Sequence, residues 1–105
     1  MGFIEQRRHE RVSVDIDVYW GHAEDCPHRD RIINLGVGGC FIRTDRGAEP
    51  GQEVFVKFWL PDERTLHGEV RYHLARVGFG VEFKGLARGE AANLASLVEH
   101  FLGRQ

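Results

Sequence analysis

From Val12 to Trp20, apolar and polar side chains take strict turns: Val12, Val14, Ile16, Val18 and Trp20 alternate with Ser13, Asp15, Asp17 and Tyr19. A strand sends successive side chains to opposite faces, so a period of two marks a β-strand with one buried face. Turn formers in Gly-His-Ala-Glu-Asp-Cys-Pro, 21–27, end that strand, and a second runs from about His28 to Leu35. The cluster Gly36-Val37-Gly38-Gly39 interrupts it before a third, Cys40 to Thr44. Pro50-Gly51 signals a type II turn, because Pro fixes φ at its second position and Gly accepts the positive φ of its third. Val54 to Leu60 reads as a fourth strand stopped by Pro61-Asp62, and 65–74 and 77–83 supply two more. Six short strands with no helix between them point to a closed barrel or a sandwich rather than a parallel sheet.

The period changes at the carboxy terminus. Leu94, Leu97, Val98, Phe101 and Leu102 follow the i, i+3, i+4, i+7, i+8 spacing of an amphipathic helix, placed at 88–103, whose stripe is expected to cover the strands. With 105 residues the chain fits a single domain, divided into a basic arm at 1–10, the strands at 11–84 and the helix. No apolar run approaches the roughly 20 residues of a membrane-spanning helix, and the first residues lack the apolar core of a leader, so a cytoplasmic location without membrane insertion is expected. Cys26 and Cys40 are accordingly read as two thiols rather than a bridge.

A net charge of −2 argues against DNA or RNA as a partner, because binding a polyanion needs a surplus of cations along the surface. The cations are nevertheless unevenly placed. Arg7, Arg8 and Arg11 fall together immediately before the first strand, and arginine's planar fork suits phosphate and guanine edges. Such a cluster is either a solvated arm or, if the arm folds back, a grip on one anion. The segment Asn34-Leu35-Gly36-Val37-Gly38-Gly39 is the second constellation: its glycines suit either a tight corner or the close approach of backbone N–H groups to an anion, and Asn34 both donates and accepts. It is not a Walker loop, lacking Gly-Lys-Ser/Thr, nor a dinucleotide loop, lacking the helix that must follow.

Together, Arg7-x-x-x-Arg11 and Asn34-x-Gly36-x-x-Gly39 resemble the PilZ family, whose signature is R-x-x-x-R before the first strand followed by D/N-x-S-x-x-G. The resemblance covers almost the whole chain, through Pro50-Gly51, Gly68-Glu69-Val70, Gly80-Val81-Glu82-Phe83 and the Leu-rich terminal helix. It implies a mainly β fold, a six-stranded antiparallel barrel with a C-terminal helix, that binds cyclic di-GMP between arm and barrel. By the same resemblance Arg7 and Arg11 grip guanine and phosphate with Arg8 as an auxiliary, Asn34 pairs with a guanine edge, and Gly39 keeps the barrel surface open to the ligand. Binding would order the arm and present a new surface to an effector protein controlling motility, adhesion or polysaccharide output. One position departs from the signature: Gly36 stands where the family has Ser. A lost hydrogen bond (about 0.5–1.5 kcal/mol) and added backbone freedom (about 0.5–1 kcal/mol) weaken binding by roughly five- to sixty-fold. A PilZ adaptor without nucleotide affinity, acting by protein contact alone, is the alternative this motivates.

Other features carry less. His22, Cys26 and His28 lie within seven residues but lack a second pair at finger-like spacing, so no metal site or cofactor is assigned. No Ser or Cys stands in a nucleophile-elbow context, which argues against an enzyme. Phe55, Phe58, Trp59 and Trp20 fit a core or its helix interface, yet Phe58 and Trp59, being consecutive, point to opposite faces and leave one at the surface.

Overall fold

The computed structural model describes residues 11–103, so the expected arm at 1–10, with Arg7 and Arg8, lies outside the described residues. Strands form where the alternation predicts them: β1 (Arg11–Gly21), β2 (His28–Gly36), β3 (Gly39–Arg43), β4 (Glu53–Trp59), β5 (Glu63–Leu74) and β6 (Gly78–Phe83), followed by one helix, α1 (Arg88–Leu102). They close into an antiparallel barrel in the order β1-β2-β3-β6-β5-β4, with β4 pairing back onto β1. Barrel is thus decided over sandwich. Val77, expected to open the last strand, instead lies in the β5–β6 turn.

The turn at 49–52 has the geometry its residues dictate. Gln52 N donates to Glu49 O at 3.1 Å, and Gly51 takes a φ of 93° that an L side chain resists. Gly51 N and Gln52 O bond to Val70 at 2.8 and 2.9 Å, pinning the β3–β4 crossover to β5.

Inward residues of all six strands, among them Val18, Trp20, Ile32, Ile42, Val56, Phe58, Val70 and Phe79, form one buried cluster. Leu94 of α1 joins it and Val98 is buried beside it, the helix lying against β1 and β2. Arg64 of β5 pairs with Glu90 in the first turn of α1, where a carboxylate also suits the helix dipole. Phe58 is fully buried whereas Trp59 is 45% exposed and meets Tyr19 edge-on at 5.8 Å. Phe55 departs from the core expectation: it is half-buried and stacks on His67 instead.

Three bulges break the alternation. On β1 the register slips between Ser13 and Ile16, on β2 between Ile32 and Asn34, and on β5 between Val70 and Tyr72. Arg31 staples the first, donating from Nε to Asp15 Oδ1 (2.7 Å), from Nη2 to Asp15 O (3.1 Å) and from Nη1 to Asp17 Oδ1 (2.6 Å). Its guanidinium holds the Asp15 carboxyl below its ordinary pKa. The second inverts the period of β2, so that Ile32 and Leu35, three apart, are both buried while Asn34 turns outward.

Truncating the two consecutive aromatics separates their faces. Phe58→Ala is expected to cost about 3–5 kcal/mol in urea unfolding, as for a large core side chain, and Trp59→Ala about 1 kcal/mol, as for an edge-to-face ring pair at the surface.

Candidate functional site

The outer surface of β1, β2, β3, β6 and β5 brings the described site residues into one neighbourhood. Arg11 opens β1 directly opposite Gly36, and Ser13 stands opposite Asn34. Arg11 Nη1 donates to Asn34 Oδ1 at 2.8 Å, an exposed bond between residues 23 apart in sequence. That bond depends on the β2 bulge, because unbroken alternation from Ile32 would have sent Asn34 into the core.

Glycines let the backbone approach here. A Cβ on Gly39 would fall 2.0 Å from the Val81 carbonyl oxygen and 3.2 Å from Arg11 Nη2. A side chain at this position would therefore force β3 away from β6 and crowd the arginine. Gly36 closes β2 and Gly39 opens β3, leaving Val37-Gly38 as the connection. Cys40, next in line, is fully buried, and loss of solvent pushes its thiol up to about 12, so it stays neutral.

Beside Arg11 opens a cleft of about 600 Å³, lined also by Gly38, Arg71, Tyr72, Glu82 and Leu86. Arg71 and Tyr72 are the residues that sequence reasoning misses. Alternation from Leu66 puts Tyr72 inside, but the β5 bulge turns it out, 44% exposed. Its ring covers Gly80, where a Cβ would come within 2.3 Å of it, and lies 6.0 Å from Phe41. The legible signal is Gly80 itself, a gap in β6 that an aromatic across the strand can fill. Arg71 Nη1 lies 3.1 Å from Glu82 Oε1 and Lys84 Nζ 3.2 Å from it, charge contacts between half-exposed side chains that fix where the cations stand. The cleft thus offers two guanidinium forks and one aromatic face, with the Asn34 amide bonded to the first fork, a set suited to a planar, phosphate-bearing ligand.

The PilZ domain model matches residues 5–100 of the chain. No curated protein matches it. Among solved structures, the inhibitor of motility MotI (DgrA) of Bacillus subtilis superposes with a TM-score of 0.76 at 17% identity, over 90% of this chain and 50% of that one. The PilZ domain of CeSA from a cellulose-synthesizing bacterium gives 0.68 at 16% identity, over 87% and 96%. PlzA of Borreliella burgdorferi, in complex with c-di-GMP, gives 0.68 at 14% identity, over 90% and 43%. The chain therefore spans about half or less of MotI and PlzA, and all of the likeness to these three is of fold.

Two outcomes follow from this geometry. Gly39→Ala is expected to lower the urea midpoint more than Gly38→Ala, whose Cβ meets nothing within 4 Å. The Cys40 thiol, neutral in the fold and ordinary (9.0) when unfolded, lends stability that is complete below pH 9. As pH rises from 9 toward 12 that stability falls by up to about 1.4 kcal/mol per unit, and Cys40→Ala, followed by urea titrations across this range, lessens the slope, the buried Cys26 thiol, also pushed up, keeping a share of it.

Proposed function

The chain belongs to the PilZ domain family, and on that premise we propose that it is a binding domain for cyclic di-GMP, which it holds against the Arg11–Asn34 cleft and reports to an effector protein without chemistry of its own. The observation that carries this reading is the Arg11–Asn34 hydrogen bond, which joins the two halves of the sequence signature across the β1–β2 ladder at the mouth of the cleft. The pairing orients both groups. With Oδ1 engaged by Arg11, the Asn34 amide presents its NH₂ end, which matches the O6 and N7 acceptors of guanine. Arg11 keeps further donors for phosphate, and Arg7 and Arg8 of the arm add theirs. Gly39 keeps the β3 side of the site at backbone level, while Arg71 and Tyr72 line the cleft. That PlzA was solved in complex with c-di-GMP on the same fold supports the choice of ligand. Folding the arm onto the ligand changes the surface offered to a partner, which is how a domain without catalytic groups transmits a signal.

A second reading has one observation behind it. Gly36 replaces the signature serine, and a barrel that had lost nucleotide affinity would act as an adaptor through protein contact alone.

Calorimetric titration with cyclic di-GMP separates the two. Saturable binding is expected, weakened about 10- to 150-fold by Arg11→Ala and by Arg7→Ala, the worth of one charged hydrogen-bond donor. Asn34→Ala is expected to weaken it about tenfold, and Gly36→Ser to tighten it roughly five- to sixty-fold. Absence of heat from both the wild type and Gly36→Ser at millimolar ligand would leave the adaptor.

A further inference from the structure

The outer face of the β5–β6 hairpin carries large apolar side chains exposed to solvent. Tyr72, Leu74 and Val77, 44%, 48% and 47% exposed, all belong to it. Tyr72 has a packing role, covering Gly80 and flanking the buried Phe41. Leu74 and Val77 serve the fold through backbone alone: Val77 N donates to Leu74 O at 2.9 Å, and Thr44 N donates to Val77 O at 3.1 Å. Polar side chains at both positions would leave those bonds intact.

Positive charge borders this strip, Asp15 being the carboxylate close enough to Arg43 to feel its field. Leu74, Gly78 and Arg43 are successive cross-strand partners, and Gly78 has no side chain, so Leu74 and Arg43 stand on one face with a gap between them. Arg76 lies in the same turn, held at a φ of 66°, and Arg46 follows the end of β3. Arg43, Arg46 and Arg76 form no salt bridge with any described residue, whereas Arg29, Arg31, Arg64 and Arg71 all do. Asp45 is the one carboxylate within 43–46 and 74–78.

We propose that this face docks an amphipathic segment of a partner protein, apolar along the side that meets Tyr72, Leu74 and Val77 and acidic along its flanks. The strip is made of side chains that stand off the outer face of the hairpin, so recognition goes through side chains rather than through a sheet edge. Tyr and Arg are the residues that protein interfaces favour. A second copy of the chain fits poorly, since a two-fold contact would set the three arginines of one copy against those of the other. Single-stranded nucleic acid needs stacking rings, and two of the three apolar side chains here are aliphatic. The proposal does not depend on nucleotide binding.

Random dodecapeptides displayed on phage are selected on the immobilised full chain and counter-selected on its Leu74→Ser variant, whose thermal midpoint verifies its fold. Enriched sequences are expected to combine Leu, Ile or Phe with Asp and Glu. The best of them, synthesised and titrated by fluorescence anisotropy, is expected to lose at least about tenfold in affinity to Leu74→Ser and to the double variant Arg43→Glu/Arg76→Glu. No enrichment, enrichment of basic peptides, or equal affinity for the variants overturns the proposal. A dimer in sedimentation velocity that Leu74→Ser dissolves would overturn it too, giving the face to a second copy.

Discussion

A strand hands its side chains to two faces in strict alternation, and a six-stranded barrel fills one of those faces with its own core. What the outside of such a molecule can present is then fixed by the sequence, except where an extra residue breaks the count. In this chain the breaks at Ile33 and Arg71 each move one side chain with chemistry on it from the core side to the outer side. Asn34 reaches Arg11 by the first, and Tyr72 reaches the cleft by the second. The core tolerates both, since Ile32 with Leu35 and Val70 remain buried around the inserted residue.

The outer surface gains its relief by subtraction. Gly39, Gly78 and Gly80 remove side chains from adjoining positions of β3 and β6, and their backbone lies so close to neighbouring atoms that a Cβ would collide at 2.0–2.3 Å. The result is a low floor walled by longer side chains: Arg11 and Asn34 on one side, Arg71 and Tyr72 on the other. Tyr72 stands where a polar half of that surface, rich in paired charges, meets an apolar half bordered by arginines that form no salt bridge with any described residue. One closed sheet therefore carries two kinds of surface without a second domain.

Much of this is readable from the chain. The six strands and the covering helix follow from period and turn chemistry, which leaves barrel and sandwich both open until the family resemblance is added, and Pro50-Gly51 dictates its turn as directly as Phe58 and Trp59 divide between inside and outside. Arg11, Asn34 and Gly39 are recognisable from their spacing, and they come together across 23 residues. Bulges are the part that alternation cannot foretell, because an inserted residue has no composition of its own. Reading through them sends Asn34 and Tyr72 the wrong way, and Val77 goes to a strand when its backbone is needed in the turn. Phe55 reads as core only because aromatic character is blind to which side of β4 it falls on.

The topology divides the chain into two three-stranded meanders, β1-β2-β3 and β4-β5-β6, each built from neighbours in sequence and joined along two seams, β3–β6 and β1–β4. The β1–β4 seam holds only three residue pairs, Tyr19–Lys57, Trp20–Val56 and Gly21–Phe55. Both seams join residues more than 30 apart, so they bear most of the loop-closure entropy of the fold. Arg11, Asn34 and Gly39 come from the first meander, Arg71, Tyr72 and Glu82 from the second, and they meet across β3–β6. The cleft does not exist in either half. Whatever fills it acts as a clasp between the two meanders and raises the cost of parting them by mass action.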